Sequence, residues 1–216
     1  MDIDNQTKYW DSVAKTKTFT HPINSALLLK YVSQAEKIVD FGCGYGRIVK
    51  ELTDQDFKNV AGFDTSQDLI NRGRQNGIKT LFHFNDIETF PIDNNSADCF
   101  LLFAVLTCIP SNLAQKKLIS TLYSKLKPNG IIYISDYYIQ DDSSEVKQYG
   151  YLNGDENNFG TFTLPEGATF RHHTKEWIAE LIKDFTIKES SIINVKTMNG
   201  NTAKAFQIII QKIADT

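Results

Sequence analysis

At 216 residues, with 41% hydrophobic and 23% charged side chains, the chain has the composition of one soluble globular domain able to bury a single core. A formal charge of −3 and the lack of a dense Lys/Arg run argue against an electrostatic grip on nucleic acid. The longest apolar run, Cys99 to Leu106, is too short to cross a bilayer, and the polar start Met1-Asp2-Ile3-Asp4 does not read as a signal peptide. The three cysteines, Cys43, Cys99 and Cys108, are an odd set without metal-ligand spacing. They fit buried free thiols in a reducing cytoplasm.

In chain order, residues 1–20 are polar with a few aromatics, Tyr9, Trp10 and Phe19, and read as a surface helix capping a sheet edge. His21-Pro22 marks a helix start, with Ala26, Leu27, Leu28 and Leu29 as its apolar face; His21 reads as structural. Ile38 to Phe41 is a buried strand running into the turn Gly42-Cys43-Gly44-Tyr45-Gly46. Glycine at alternate positions permits positive φ and lets a ligand lie against bare main chain. A helix then begins near Arg47, with Ile48, Val49 and Leu52 at helical spacing, so its N-terminal N–H groups face that ligand. Val60 to Asp64 is a second strand ending in a carboxylate, about twenty residues after Gly42, the offset of an acid that accepts ribose hydroxyls.

Ser66 caps a helix through about Gln75, which Asn76-Gly77 ends. Thr80 to Phe84 is a third strand, and Ala97 to Val105 a fourth, apolar enough to be covered on both faces. Ser111 caps a helix striped by Leu118, Ile119, Leu122 and Leu126, and Ile131 to Ile134 is a fifth strand. Alternation of this kind means a doubly wound, mostly parallel α/β sheet. Residues 137–170 are aromatic-rich and weakly periodic, and read as an irregular substrate lid at the carboxyl edge of the sheet. Thr174 caps a closing helix with Trp177, Leu181 and Ile182, and Ile187–Val195 and Ala203–Ile210 form a hairpin around Asn199-Gly200.

The run Asp40-Phe41-Gly42-Cys43-Gly44-Tyr45-Gly46 resembles the glycine loop of the class I S-adenosylmethionine-dependent methyltransferases, (D/E)-h-G-x-G-x-G with h hydrophobic. Asp64, Asp86-Ile87, Phe90-Pro91-Ile92 with Asn95 to Asp98, and Leu126 to Gly130 match further landmarks of that family in order, across residues 36–136. The resemblance implies a Rossmann-like, seven-stranded sheet that ends in the C-terminal hairpin. It implies S-adenosyl-L-methionine as cofactor, held by Asp40, Gly42, Cys43, Gly44, Gly46, Asp64, Thr65, Asp86, Ile87 and Phe103. The whole chain is then one domain: a helical cap over 1–35, a cofactor core over 36–136, a substrate lid over 137–173 and a closing helix and hairpin over 174–216. In many members the first segment folds over the cofactor, so Tyr9, Trp10 or Phe19 is a candidate lid residue.

The sulfonium is already electrophilic, so the protein must chiefly align it with a nucleophile, and a base is needed only when the acceptor loses a proton. Histidine suits that task, and His172 and His173 are the candidates, at most one of them acting. Tyr137, Tyr138 and Arg171 are candidates for the acceptor pocket. The motifs of DNA methyltransferases and the carboxylate of metal-dependent enzymes are missing after the fourth strand. A small-molecule acceptor, no metal, no nucleic acid and no membrane are therefore expected, in a cytoplasmic monomer or homodimer. A protein side-chain acceptor, a non-catalytic cofactor-binding protein, a nicotinamide reductase and an aminopropyltransferase are the competing readings. The glycine spacing and Asp40 disfavour the reductase, and the missing polyamine motif disfavours the last.

Overall fold

The computed structural model describes residues 4–140, 149–152 and 158–213. Parts of the expected lid, 141–148 and 153–157, lie outside the described residues. Its centre is a seven-stranded sheet in the order β3-β2-β1-β4-β5-β10-β9. The strands are β1 (Ile38–Phe41), β2 (Val60–Asp64), β3 (Leu81–His83), β4 (Ala97–Phe103), β5 (Leu126–Tyr137), β9 (Phe185–Lys196) and β10 (Thr202–Lys212). The first five run parallel, while β10 pairs antiparallel with both β5 and β9. The chain leaves β1 toward β2 on one side and later returns to β4 on the other. This reversal opens a crevice at the carboxyl ends of β1 and β4, where α/β sheets bind ligands.

Period-two alternation explains why β4 reads as an unbroken apolar run. Phe100 and Leu102 enter the core on one face with Leu118, Leu122 and Ile178. Cys99, Leu101 and Phe103 enter the core on the other, with Leu28, Val49, Leu52 and Ile70. Both faces are covered, so neither needs polar residues. The helices α3 (Arg47–Asp54), α4 (Gln67–Gln75), α5 (Asn112–Lys125) and α6 (Lys175–Leu181) follow the expected patterns. Ser66, Ser111 and Thr174 each accept a hydrogen bond from a backbone N–H of the first turn of α4, α5 and α6.

Three expectations change. The early helix is only one turn, α2 (Ser25–Leu28), capped by Asn24. His21-Pro22 stays non-helical and Leu29 is exposed, because this stretch is tied instead to the sheet: Gln207 donates to the Pro22 carbonyl at 3.1 Å. The segment after β5 is not irregular throughout; β6 (Gly150–Tyr151), β7 (Phe159–Thr163) and β8 (Thr169–Arg171) form a separate three-stranded antiparallel sheet. Finally, β5 is much longer than Ile131 to Ile134, because β10 pairs with it from Ile131 to Tyr137 and β4 pairs with it back to Leu126. The first helix, α1 (Thr7–Val13), has no fully buried residue.

Candidate active site

The glycine loop takes its shape from three left-handed residues, Gly42, Gly44 and Gly46, with φ of 69°, 56° and 78°. Such angles are strained for residues with a Cβ. A Cβ on Gly42 would sit 2.8 Å from Val105 Cγ2, and one on Gly44 would overlap the Phe19 ring. The loop is pinned to the end of β2. Gly42 and Cys43 donate to the Phe63 carbonyl at 2.8 and 3.1 Å, and Gly44 donates to Asp64 Oδ2 at 2.7 Å. Gly46 then begins α3, turning its N-terminus toward the crevice.

Three acids line the crevice beside this loop. Asp64 is buried; Gly44 and Ser66 each donate a backbone N–H to one of its oxygens, the latter at 2.8 Å. Burial raises its pKa, and those two hydrogen bonds partly offset the shift. Each oxygen keeps a lone pair, as a ribose diol requires. Asp40 is 2% exposed, and its carboxylate makes no side-chain hydrogen bond among the described residues. Burial pushes its pKa up to about 8; Arg47 pulls it down and Asp64 adds to it. A buried carboxylate without a hydrogen-bond partner beside a bare glycine loop fits an ammonium group and repels a pyrophosphate. Asp86 spends Oδ1 on capping a short 3-10 turn, accepting from Glu88 at 2.7 Å and Thr89 at 3.1 Å, so its other oxygen remains for an adenine amino group. This chemistry fits S-adenosylmethionine, for which Asp40 would meet the ammonium, Asp64 the ribose, and Asp86 with Ile87 the adenine.

These groups line one cavity of about 710 Å³. The comparisons with known proteins agree with that fit. Residues 39–134 match a family model described as a methyltransferase domain. A trans-aconitate 2-methyltransferase of Variovorax paradoxus is 27% identical over 116 residues, covering 53% of this chain and 44% of that protein. An O-methyltransferase 3 of Dictyostelium discoideum is 29% identical over 114 residues, covering 48% and 26% respectively. The chain thus spans less than half the length of these curated relatives. A solved S-adenosylmethionine-dependent methyltransferase of Methanosarcina mazei shares the fold with a TM-score of 0.77 at 21% identity, over 88% of this chain and 98% of that one. Residues 39–134 are thus similar to a methyltransferase domain, and the chain has the fold of S-adenosylmethionine-dependent methyltransferases.

In this chain Asp40, Gly42, Cys43, Asp64, Thr65, Asp86, Ile87 and Phe103 all reach the cavity, and so do Tyr137 and His172. Gly44 and Gly46 shape the loop from behind, the first under Phe19 and the second against Leu81. Three other expected site residues are placed elsewhere. Tyr138 packs into the core, its ring 4.5 Å from that of Phe206. Arg171 is 1% exposed and clamps the backbone: it donates to the Phe159 and Pro110 carbonyls at 3.1 Å and to Asn112 Oδ1 at 2.5 Å. His173 is fully buried, with Nε2 2.9 Å from Gln115 Nε2 and Nδ1 3.2 Å from the Tyr137 carbonyl oxygen. These contacts fix the junction between β5, α5 and α6 rather than a substrate.

His172 faces the cavity instead of solvent. Its Nδ1 lies 2.5 Å from the Tyr149 hydroxyl, and its ring stacks on Tyr137 with centroids 5.0 Å apart. Burial pushes its pKa down to about 4, so it is neutral at physiological pH. The adjacent pair divides because successive residues at the end of β8 point to opposite sides.

The N-terminal segment runs along the mouth, with Trp10 and Phe19 in the cavity wall. Asp11 accepts from Ser66 Oγ at 2.6 Å, and Arg72 donates to the Ala14 and Lys17 carbonyls at 2.8 and 2.7 Å. The Tyr45 hydroxyl accepts from Phe19 N at 3.0 Å, with the two rings stacked. Gln6 joins the other side, accepting from Thr169 N at 2.8 Å. The tip of the β9–β10 hairpin also lines the cavity through Met198, Asn199 and Asn201. Nothing local marks those three as site residues; Asn199-Gly200 reads only as a turn.

Proposed function

We propose that this chain transfers the methyl group of S-adenosylmethionine to an oxygen or nitrogen of a small molecule. The observation that carries the reading is that the cavity continues from the glycine loop into an aromatic compartment of Tyr137, Tyr149, Phe162, Phe170 and His172. The N-terminal segment and the hairpin tip cover it, which suits a small acceptor better than a protein side chain or a nucleic acid strand. The names of the two curated relatives point the same way, one to trans-aconitate and one to an oxygen acceptor. S-adenosylmethionine supplies an activated methyl group when bound. Asp40, Asp64 and Asp86 orient it.

Of the paired histidines we assign the acceptor-facing role to His172, whose neutral ring is the form that takes up a proton. Tyr149 positions it. No helix among the described residues is long and apolar enough to cross a membrane. The three free thiols support a cytoplasmic location.

Calorimetric titration with S-adenosylmethionine, S-adenosylhomocysteine and NADH tests the cofactor, with Asp64→Ala as control. Micromolar binding of the first two, weakened in the variant, is expected. Binding of NADH alone would overturn it. Labelled methyl transfer into the small-molecule fraction of a cell extract then tests turnover; label in protein alone would refute the acceptor class.

A further inference from the structure

The acceptor compartment holds a hydrogen-bonding residue with nothing to bond. His21 is 4% exposed and lies in the cavity wall, edge-on to Phe103 and Tyr137 with ring centroids 6.2 and 5.1 Å away. Those two residues end β4 and β5, the part of the crevice beyond the glycine loop. Both His21 ring nitrogens are sealed from solvent without a hydrogen-bond partner. Burial, with the Arg47 charge beside it, drives its pKa down to about 4. The neutral ring has one N–H and one lone pair, and both are unmet. Buried polar groups are nearly always paired, so an orphaned pair at a cavity wall calls for a ligand.

The charges around the cavity narrow that ligand. Among the described residues the lysine and arginine lining it are Arg47 and Lys117. Arg47 is held by Glu51 at 3.3 Å and by the His21 carbonyl, and Lys117 by Glu88. An anionic acceptor would shed its hydration and meet no unpaired protein cation, and in the S-adenosylhomocysteine complex no sulfonium either. A planar uncharged one would meet the rings of Trp10, Tyr137, Phe162 and Phe170 in the edge and face contacts that aromatic groups favour.

We propose that the acceptor is an uncharged aromatic compound whose hydroxyl or ring N–H group is hydrogen-bonded by His21, the imidazole turning about its Cβ–Cγ bond to present a nitrogen to the cavity. This rests on the methyltransferase reading above. His21 is then the residue that fixes the reacting group in place, and it sets this chain apart from enzymes that hold a tricarboxylate.

The test is calorimetry on protein saturated with S-adenosylhomocysteine, using three probes: 2-naphthol, 3-hydroxy-2-naphthoate and trans-aconitate. Expected is 2-naphthol binding at least about tenfold tighter than its carboxylated analogue, with no binding of trans-aconitate. His21→Phe should weaken 2-naphthol about tenfold and His21→Gln should restore most of that loss. In ¹⁵N-histidine spectra, 2-naphthol should shift the His21 nitrogens. The proposal is overturned if either anion binds as well as 2-naphthol, if His21→Phe binds it normally, or if none of the three binds. Should His21→Phe fail to fold, the wild-type spectra decide, and an unmoved His21 signal overturns the proposal. Failure to bind S-adenosylhomocysteine at the outset is a different result, and removes the parent reading instead.

Discussion

Asp40 makes cofactor binding depend on pH in a way that can be worked out. In the free protein its carboxyl has a pKa of about 8, chiefly because burial disfavours the charge. The ammonium of the cofactor needs the ionised form. At pH 6 that form is about one part in a hundred, so binding is about 100-fold weaker than to a fully ionised carboxylate, or about 2.7 kcal/mol. The amino group of the ligand itself loses its proton above about pH 8. Affinity for S-adenosylhomocysteine should therefore peak near pH 8, with a proton released on binding at pH 6 to 7. Calorimetry in buffers of different ionisation enthalpy measures both quantities. Asp40→Asn should flatten the acidic limb and lower the peak affinity by roughly 10- to 150-fold, the value of a charge-assisted hydrogen bond. The same variant should stabilise the free protein at pH 8. A folded-state pKa above the unfolded one means the folded form holds the extra proton between about pH 4 and 8, so stability falls as pH rises through that window. A flat wild-type profile between pH 6 and 8, or an unchanged slope in Asp40→Asn, would refute the reasoning.

Three further outcomes are expected. His21, His172 and His173 are buried with pKa values lowered to about 4, 4 and 3. The unfolded chain takes up their protons first, so these three groups destabilise the fold as pH falls from about 6.5 toward 4, by up to about 4 kcal/mol per pH unit. The Asp40 and Asp136 carboxyls, raised to about 8 and about 7, offset up to about 2.7 kcal/mol per pH unit of that loss. Urea denaturation at pH 7 and 5.5 checks this. Arg171→Ala leaves several buried acceptors without a donor and should cost about 3 kcal/mol or more in the same assay while leaving S-adenosylhomocysteine affinity unchanged; lost binding in a stable variant would restore Arg171 to the pocket. Gly42→Ala meets both a φ of 69° and the Val105 methyl, and should lose cofactor binding along with about 1–2 kcal/mol of stability. Gly77→Ala, strained at 89° but with open space around it, should cost stability alone.

The sheet core and the shape of the glycine loop were legible from local signals along the chain. Alternate glycines from Gly42 to Gly46 demand a left-handed turn wherever the chain goes, and all three adopt it. Asp40, Asp64 and Asp86 stand at fixed offsets from strand ends, so placing β1, β2 and β3 places them. The caps at Ser66, Ser111 and Thr174 act within one helical turn of themselves. Each of these signals is local, and local signals survive without knowledge of the rest of the fold.

The far end of the cavity was not legible, because it is assembled by tertiary contacts. Whether His172 or His173 faces the cavity depends on the phase of β8, which is set by pairing with β7. Arg171 is drawn inward because Phe159, Pro110 and Asn112 offer acceptors there. His21 and the hairpin residues Met198, Asn199 and Asn201 reach the cavity from opposite ends of the chain. The cavity is closed where β10 lies against β5 and the N-terminal segment crosses the glycine loop, and those are long-range contacts that no spacing along the chain encodes.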